Sequence, residues 1–211
     1  MTQNAVLDAV GLCRSYGGRR ALYPVSFRVC GGTGLALLGE NGSGKSTLMR
    51  LLAQVERPDS GDIRFCGKSV LGSRAFLRSE IGYVPQELSL DDGLTVAQQL
   101  GLWQAACGCR ACPEAEALMG LDALRRRRIR ELSGGQARRV SIAMALMNSP
   151  SVLLLDEASV GLDEAYREAL LGYLSDFIRA GGILIYATHL SDEAARLCRA
   201  GIVLREGTVV S

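Results

Sequence analysis

Eight residues, Gly39-Glu40-Asn41-Gly42-Ser43-Gly44-Lys45-Ser46, constrain the fold more than any other stretch of the chain. They match G-x-x-x-x-G-K-[ST] in full. An apolar run, Leu35 to Leu38, precedes them, and a helical pattern through Leu48, Leu51 and Leu52 follows. In that strand–loop–helix setting the glycines let successive backbone N–H groups point inward as an anion nest. The helix N-terminus adds the positive end of its dipole. Lys45 is placed to reach the β- and γ-phosphates of a nucleotide, and the Ser46 hydroxyl to ligate Mg²⁺. Gly39, Asn41, Gly42, Ser43, Gly44, Lys45, Ser46 and Thr47 are therefore the candidate phosphate-binding set. A plain glycine-rich turn is the bland alternative. A dinucleotide-binding loop fails, because no third glycine follows Gly42-Ser43-Gly44 at the required position.

A second motif, Val152-Leu153-Leu154-Leu155-Asp156-Glu157, is an apolar run ending in two acids. In a parallel sheet the ligand sits beyond the carboxyl ends of the strands. Asp156 is thus expected near the magnesium. Glu157, one residue on, could polarise an attacking water as general base. Taken alone, the run would read as a strand and a solvated turn; beside a complete phosphate loop the catalytic reading is preferred.

The rest of the chain supplies a frame for these motifs. Strands are expected at 5–10, 22–30, 35–38, 63–66 and 81–86, and strand-like runs again at 152–156, 183–187 and 201–205. Thr95 with Gln98, and Ser133 with Gln136, have capping-box spacing. Two or three helices are expected over 95–130, and others after Ser133, at 163–180 and at 191–199. Strand–helix alternation after Pro150 argues for a parallel sheet covered by helices. The helical stretch of about 87–148 reads as a subdomain inserted into an α/β core made of 1–86 and 149–211.

With 211 residues, 48% hydrophobic and 22% charged, the chain is long enough for one globular domain. Lys+Arg 24 against Asp+Glu 22 leaves a net charge of +2, so no nucleic-acid partner is expected. No apolar run approaches the roughly 18 residues of a membrane span. Met1-Thr2-Gln3-Asn4 does not open a signal peptide. Seven cysteines, an odd count without framework spacing, fit reduced thiols and a cytoplasmic location. Cys107-x-Cys109-x-x-Cys112 could supply part of a zinc or iron–sulfur site, but no fourth ligand is near; small residues around a loop between helices are the preferred reading. The Arg125–Arg128 run reads as a solvated face, with lipid headgroup or nucleic-acid contact as the lesser alternative.

Leu132-Ser133-Gly134-Gly135-Gln136, lying between the phosphate loop and the Asp156-Glu157 strand, resembles the signature motif of ATP-binding cassette (ABC) ATPases. The resemblance runs over essentially the whole chain. It implies a P-loop NTPase core of mostly parallel sheet and flanking helices, with a small antiparallel β subdomain and an inserted helical subdomain. It implies that Tyr16 stacks on adenine, and that Gln86 joins core to helical subdomain and contributes to the metal site with Ser46 and Asp156. It also gives the catalytic set as Glu157, His189 and Gln86, with His189 touching the γ-phosphate. Ser133 and Gly135 of the signature, and Asp163 of the Gly161-Leu162-Asp163 loop, would meet ATP held by an opposing subunit, two chains packing head to tail as homodimer or pseudo-dimer. Ala158-Ser159 stand where the family commonly has Pro-Thr, which is expected to loosen that turn. Val160-Gly161-Leu162-Asp163 and Arg138-Arg139 resemble the drug and polysaccharide exporter branch. The implied role is the ATP-hydrolysing subunit of a membrane transporter, using ATP and Mg²⁺, peripheral on the inner face of the membrane, with a separate membrane-spanning partner docked around Gln86 to Thr95, including Asp91 and Asp92. A soluble assembly or cell-division ATPase of the same family is the alternative. A chain ending at Ser211, just after the last strand, is expected to carry no regulatory domain.

Overall fold

The structure is a computed structural model describing residues 5–109 and 112–210. Met1-Thr2-Gln3-Asn4, Ser211 and the Arg110-Ala111 pair inside the cysteine spacing lie outside those residues. The chain opens with two long strands, β1 (Val6–Tyr16) and β2 (Arg19–Cys30), joined at Gly17-Gly18. Next come β3 (Thr33–Leu38), α1 (Lys45–Leu52), β4 (Ser60–Phe65), β5 (Lys68–Ser69), α2 (Arg74–Ser79) and β6 (Ile81–Val84). A helical stretch, α3 (Val96–Cys107), α4 (Pro113–Leu118) and α5 (Gly134–Leu146), precedes β7 (Val152–Asp156). α6 (Glu164–Arg179), β8 (Ile183–Ala187), α7 (Ser191–Leu197), β9 (Ala200–Arg205) and β10 (Thr208–Val209) complete the chain.

Two sheets result. The antiparallel one has the order β2-β1-β4-β5, and the other β10-β9-β3-β8-β7-β6, parallel from β9 to β6. Leu37 and Asp156 both pair with Ala187, so β3, β8 and β7 end at one level. Everything that follows those three strands therefore emerges along one edge, which is where a parallel sheet holds its ligand.

Side-chain alternation explains why β7 and β8 are apolar throughout. Leu153, Leu155, Leu184 and Tyr186 pack on one face with Val140, Leu146, Leu170 and Leu174. Val152, Leu154, Ile183 and Ile185 pack on the other with Leu48, Leu51 and the β1–β2 residues Leu12 and Val25. Strands buried on both faces need continuous hydrophobic runs, and each such side chain contributes roughly 1.5–3 kcal/mol.

Several expectations are refined. β1 runs to Tyr16 rather than residue 10, because β2 on one side and β4 on the other keep pairing it past a bulge. β5, α2 and β10 were not expected; the strands are two residues each and the helix is six, too short for a period to show. Both capping boxes form as expected, at Thr95–Gln98 and at Ser133–Gln136. Residues 119–132 carry two single 3₁₀ turns rather than a third α-helix. The Arg125–Arg128 run is not simply solvated. Its backbone carbonyls at Arg125 and Arg127 accept from Ala97 and Val96, completing the first turn of α3. Arg125 pairs with buried Glu116, and Arg128 Nη1 donates to the Gly93 carbonyl at 3.3 Å.

Candidate functional site

The phosphate loop leaves β3 and enters α1, the helix whose first residue is Lys45. Gly39 has φ 146°, and a Cβ there would lie 2.3 Å from the Leu204 carbonyl of β9, so only glycine lets the loop start here. Lys45 is 6% exposed, and its Nζ donates to the carbonyls of Gly39 at 2.7 Å and Glu40 at 3.0 Å. The ammonium thus lies inside the loop that an anion would fill. Ser43 Oγ is buried there without a hydrogen-bond partner.

Asp156 ends β7 at 1% exposed, and neither of its carboxylate oxygens has a hydrogen-bond partner. Burial pushes its pKa up and the Glu157 charge adds to this, while nearby Ser46 and Lys45 pull it down. A buried carboxylate with two orphaned oxygens is a costly arrangement unless something positive meets it. Ser46 Oγ donates to Gln86 Oε1 at 3.2 Å. A serine hydroxyl, an amide oxygen and an orphaned carboxylate form an all-oxygen donor set, which suits Mg²⁺.

Glu157 follows with φ 51°, a left-handed conformation that costs a non-glycine residue on the order of 1 kcal/mol or more. Its N–H donates to the Ala187 carbonyl at 2.8 Å, so the strained residue is anchored to β8. Its carboxylate lies 3.3 Å from His189 Nδ1, and the His189 side chain is 56% exposed against 12% for Glu157. The turn after it is not loosened by Ala158-Ser159. Ala158 is fully buried, and Ser159 Oγ donates to Glu193 Oε2 of α7 at 2.7 Å. The Tyr186 hydroxyl donates to Glu193 and lies 3.0 Å from Ser159 Oγ. The hydroxyl at this position finds a buried carboxylate, and the turn is pinned from the far side.

Tyr16, Asn41, Gly42, Ser43, Gly44, Lys45, Ser46, Thr47, Gln86 and Glu157 line one cavity of about 810 Å³. The Tyr16 hydroxyl donates to Glu56, and Arg14 lies 5.0 Å over its ring. Asp156 and His189 are not among its lining, and Asp156 lines a neighbouring cavity together with Ser46 and Gln86. Ser133, Gly135 and Asp163 line neither. They stand together elsewhere: the Ser133 side chain caps α5, Asp163 is the residue before α6 without a side-chain capping bond, and a Cβ on Gly135 would lie 2.3 Å from the Gly161 carbonyl. All seven cysteines are free, and the described residues contain no cluster of three or more His, Cys, Asp or Glu side chains of the kind that holds a zinc ion. No described helix is long and apolar enough to cross a membrane.

Two contributors escaped the sequence reading. Glu193 gave no signal, since an acid in a helix first turn is ordinary. Arg138 Nη1 and Nη2 donate to the Pro85 and Gln86 carbonyls at 2.6 and 2.7 Å, a contact that no spacing rule connects.

A phosphate loop between β3 and α1, at the carboxyl edge of a parallel sheet and facing buried acids, defines a P-loop nucleotide-binding domain. The ABC transporter family model matches residues 22–160. Nod factor export ATP-binding protein I of Paraburkholderia xenovorans (strain LB400) is 36% identical over 204 residues, covering 94% of this chain and 67% of that protein. The chain therefore spans about two thirds of the length of the curated relatives it matches. Among solved structures, an ATP binding subunit of an ABC transporter superposes with TM-score 0.87 at 28% identity, covering 98% of this chain and 88% of that one. A dimeric bacterial ABC transporter cassette superposes with TM-score 0.85 at 23% identity, covering 97% of each. The chain belongs to the ABC transporter family, as its ATP-binding ATPase domain.

Proposed function

We propose that the chain is the nucleotide-binding subunit of an exporter, in which closure of two cassettes on ATP drives a separate membrane-spanning partner. The observation that carries this is the separation of two half-sites. Lys45 and Glu157 line one cavity, with Asp156 directly before Glu157 at the end of β7 and His189 3.3 Å from the Glu157 carboxylate, while Ser133, Gly135 and Asp163 form a second group in which Gly135 packs against Gly161. A single chain then holds both halves of a composite site, and two chains head to tail would complete two. That a related cassette is solved as a dimer, and that relatives are named for Nod factor export, support the reading.

In this reading Tyr16 stacks on adenine with the ring face that Arg14 leaves free. Lys45 turns from the Gly39 and Glu40 carbonyls to the β- and γ-phosphates. Ser46, Gln86 and Asp156 hold Mg²⁺, which when bound neutralises charge on the phosphates. Glu157 accepts a proton from the attacking water. His189, in contact with Glu157, reaches the γ-phosphate and fixes the carboxylate's direction. Residues 1–86 and 149–211 act as the core and about 87–148 as the helical subdomain. The membrane partner docks around Gln86 to Thr95, including Asp91 and Asp92, on the cytoplasmic face; Gln86, Glu87, Ser89 and Leu90 of that stretch line a cavity of about 630 Å³ whose other wall includes Ser46 and Asp156.

Glu157→Gln tests the mechanism. The amide keeps the shape but cannot take the proton. ATP is expected to bind, hydrolysis to fall by at least about 10²-fold, and a dimer to accumulate with ATP. Hydrolysis at the wild-type rate rejects Glu157 as the base.

A further inference from the structure

β6 ends at Val84, and the chain leaves the sheet through Pro85 and Gln86. Their carbonyls are taken up by the two terminal nitrogens of one guanidinium, Arg138, at 2.6 and 2.7 Å. Arg138 is half-buried; burial pulls its pKa down, and the charges of Asp156 and Glu157 only partly oppose this. It stands on α5, whose N-cap is Ser133. At 1.5 Å per residue, Arg138 is about 7.5 Å along the helix axis from that cap. Gln86, held by its backbone on one side, gives its side-chain oxygen to Ser46 at 3.2 Å on the other. A continuous chain of contacts thus runs from the signature helix through Arg138 and Gln86 to the first turn of α1.

We propose that Arg138 is a positioning residue for Gln86: its planar fork fixes the backbone from which Gln86 reaches Ser46, and so ties the divalent-cation affinity of the site to the position of the signature helix. The proposal rests on the reading that Gln86 contributes to the metal site. Geometry favours a positioning role over mere satisfaction of two carbonyls. Two parallel bonds from one rigid group to adjacent peptide units fix direction as well as distance, and the peptide so fixed is the one whose side chain touches Ser46. Outer contacts that orient a metal ligand typically change metal affinity by about 10–100-fold when removed.

The test compares wild type, Arg138→Met, Arg138→Lys and Gln86→Ala. Methionine keeps an unbranched apolar stem and removes both bonds; lysine keeps one charge without the fork. Each protein, in excess over a β,γ-imido analogue of ATP, is titrated with Mn²⁺ and bound metal is read by electron paramagnetic resonance. Affinity for the analogue is measured separately in EDTA. The expected result is Mn²⁺ affinity weakened about tenfold in Arg138→Met, less in Arg138→Lys, and at least as much in Gln86→Ala, with metal-free nucleotide affinity within about twofold of wild type. Wild-type Mn²⁺ affinity in Arg138→Met, with a weakened Gln86→Ala, overturns the positioning role and leaves the Gln86 role standing. Wild-type affinity in Gln86→Ala removes the metal role of Gln86 and the proposal with it. Should Arg138→Met not fold, Arg138→Lys decides alone: wild-type Mn²⁺ affinity there overturns the proposal.

Discussion

Glu193 is a charged residue at 3% exposure, and its removal has a cost that the structure lets us work out. Its carboxylate accepts from Ser159 Oγ at 2.7 Å and from the Tyr186 hydroxyl, with the Arg167 guanidinium at 3.4 Å. The Arg167 side chain is 33% exposed, so that ion pair is screened and counts for little. Each buried hydroxyl bond to a charged acceptor contributes about 1.5–3 kcal/mol. Tyr186 keeps Ser159 Oγ as an acceptor at 3.0 Å when Glu193 is gone, but Ser159 loses the only acceptor it has among these hydrogen bonds. Glu193→Ala is therefore expected to destabilise the fold by about 3–5 kcal/mol. For a domain of this size that is on the order of 10 °C in Tm. Tyr186→Phe is expected to lose about 1–2 kcal/mol, and the double variant less than the sum, with a coupling of about 1 kcal/mol. Urea denaturation with the slope held in common measures all three. A loss under about 1 kcal/mol for Glu193→Ala refutes the claim that this network pins the turn after Glu157.

Asp156→Asn probes the orphaned carboxylate. Burial raises the folded-state pKa, so the penalty for charge is absent below about pH 4, grows as pH rises through the unfolded value, and is complete above the folded one. The variant is expected to raise the Tm of the metal-free protein at pH 7, not at pH 4, and to lose the stabilisation that MgATP gives wild type; thermal scans at the two pH values check this. Gly135→Ala is expected to cost about 1–3 kcal/mol, because its Cβ would lie 2.3 Å from the Gly161 carbonyl. Gly134→Ala, with nothing within 4 Å of its Cβ, is expected to fold like wild type in the same denaturation assay.

Local chemistry made much of this legible in the sequence. The phosphate loop, the β7 run and both capping boxes each state their conformation within a few residues. Strand order did not show, because pairing β3 with β8 and β9 depends on contacts far apart in sequence. Ala158-Ser159 was read as a looser turn because Tyr186 and Glu193, which hold Ser159, come from two other elements. Arg138 carried only a likeness to one branch of the family; its target carbonyls belong to a segment that only the fold brings beside α5. β5, α2 and β10 were invisible because two to six residues give no period.

The central claim is that two chains share each ATP site, and mixing two inactive chains tests it most directly. Lys45→Ala removes the cation from the phosphate loop and leaves the signature intact. Ser133→Arg fills the helix start of the signature and leaves the phosphate loop intact. Neither chain alone is expected to hydrolyse ATP, although Ser133→Arg should still bind it. A mixed dimer holds one complete site, made of the Ser133→Arg phosphate loop and the Lys45→Ala signature. Adding excess Lys45→Ala to Ser133→Arg is expected to restore ATP turnover to a level below wild type, since the second site of each mixed dimer is doubly broken. Ser133→Arg hydrolysing ATP at the wild-type rate by itself, with only a Tm lowered by the roughly 1 kcal/mol of a lost helix cap, contradicts the shared site.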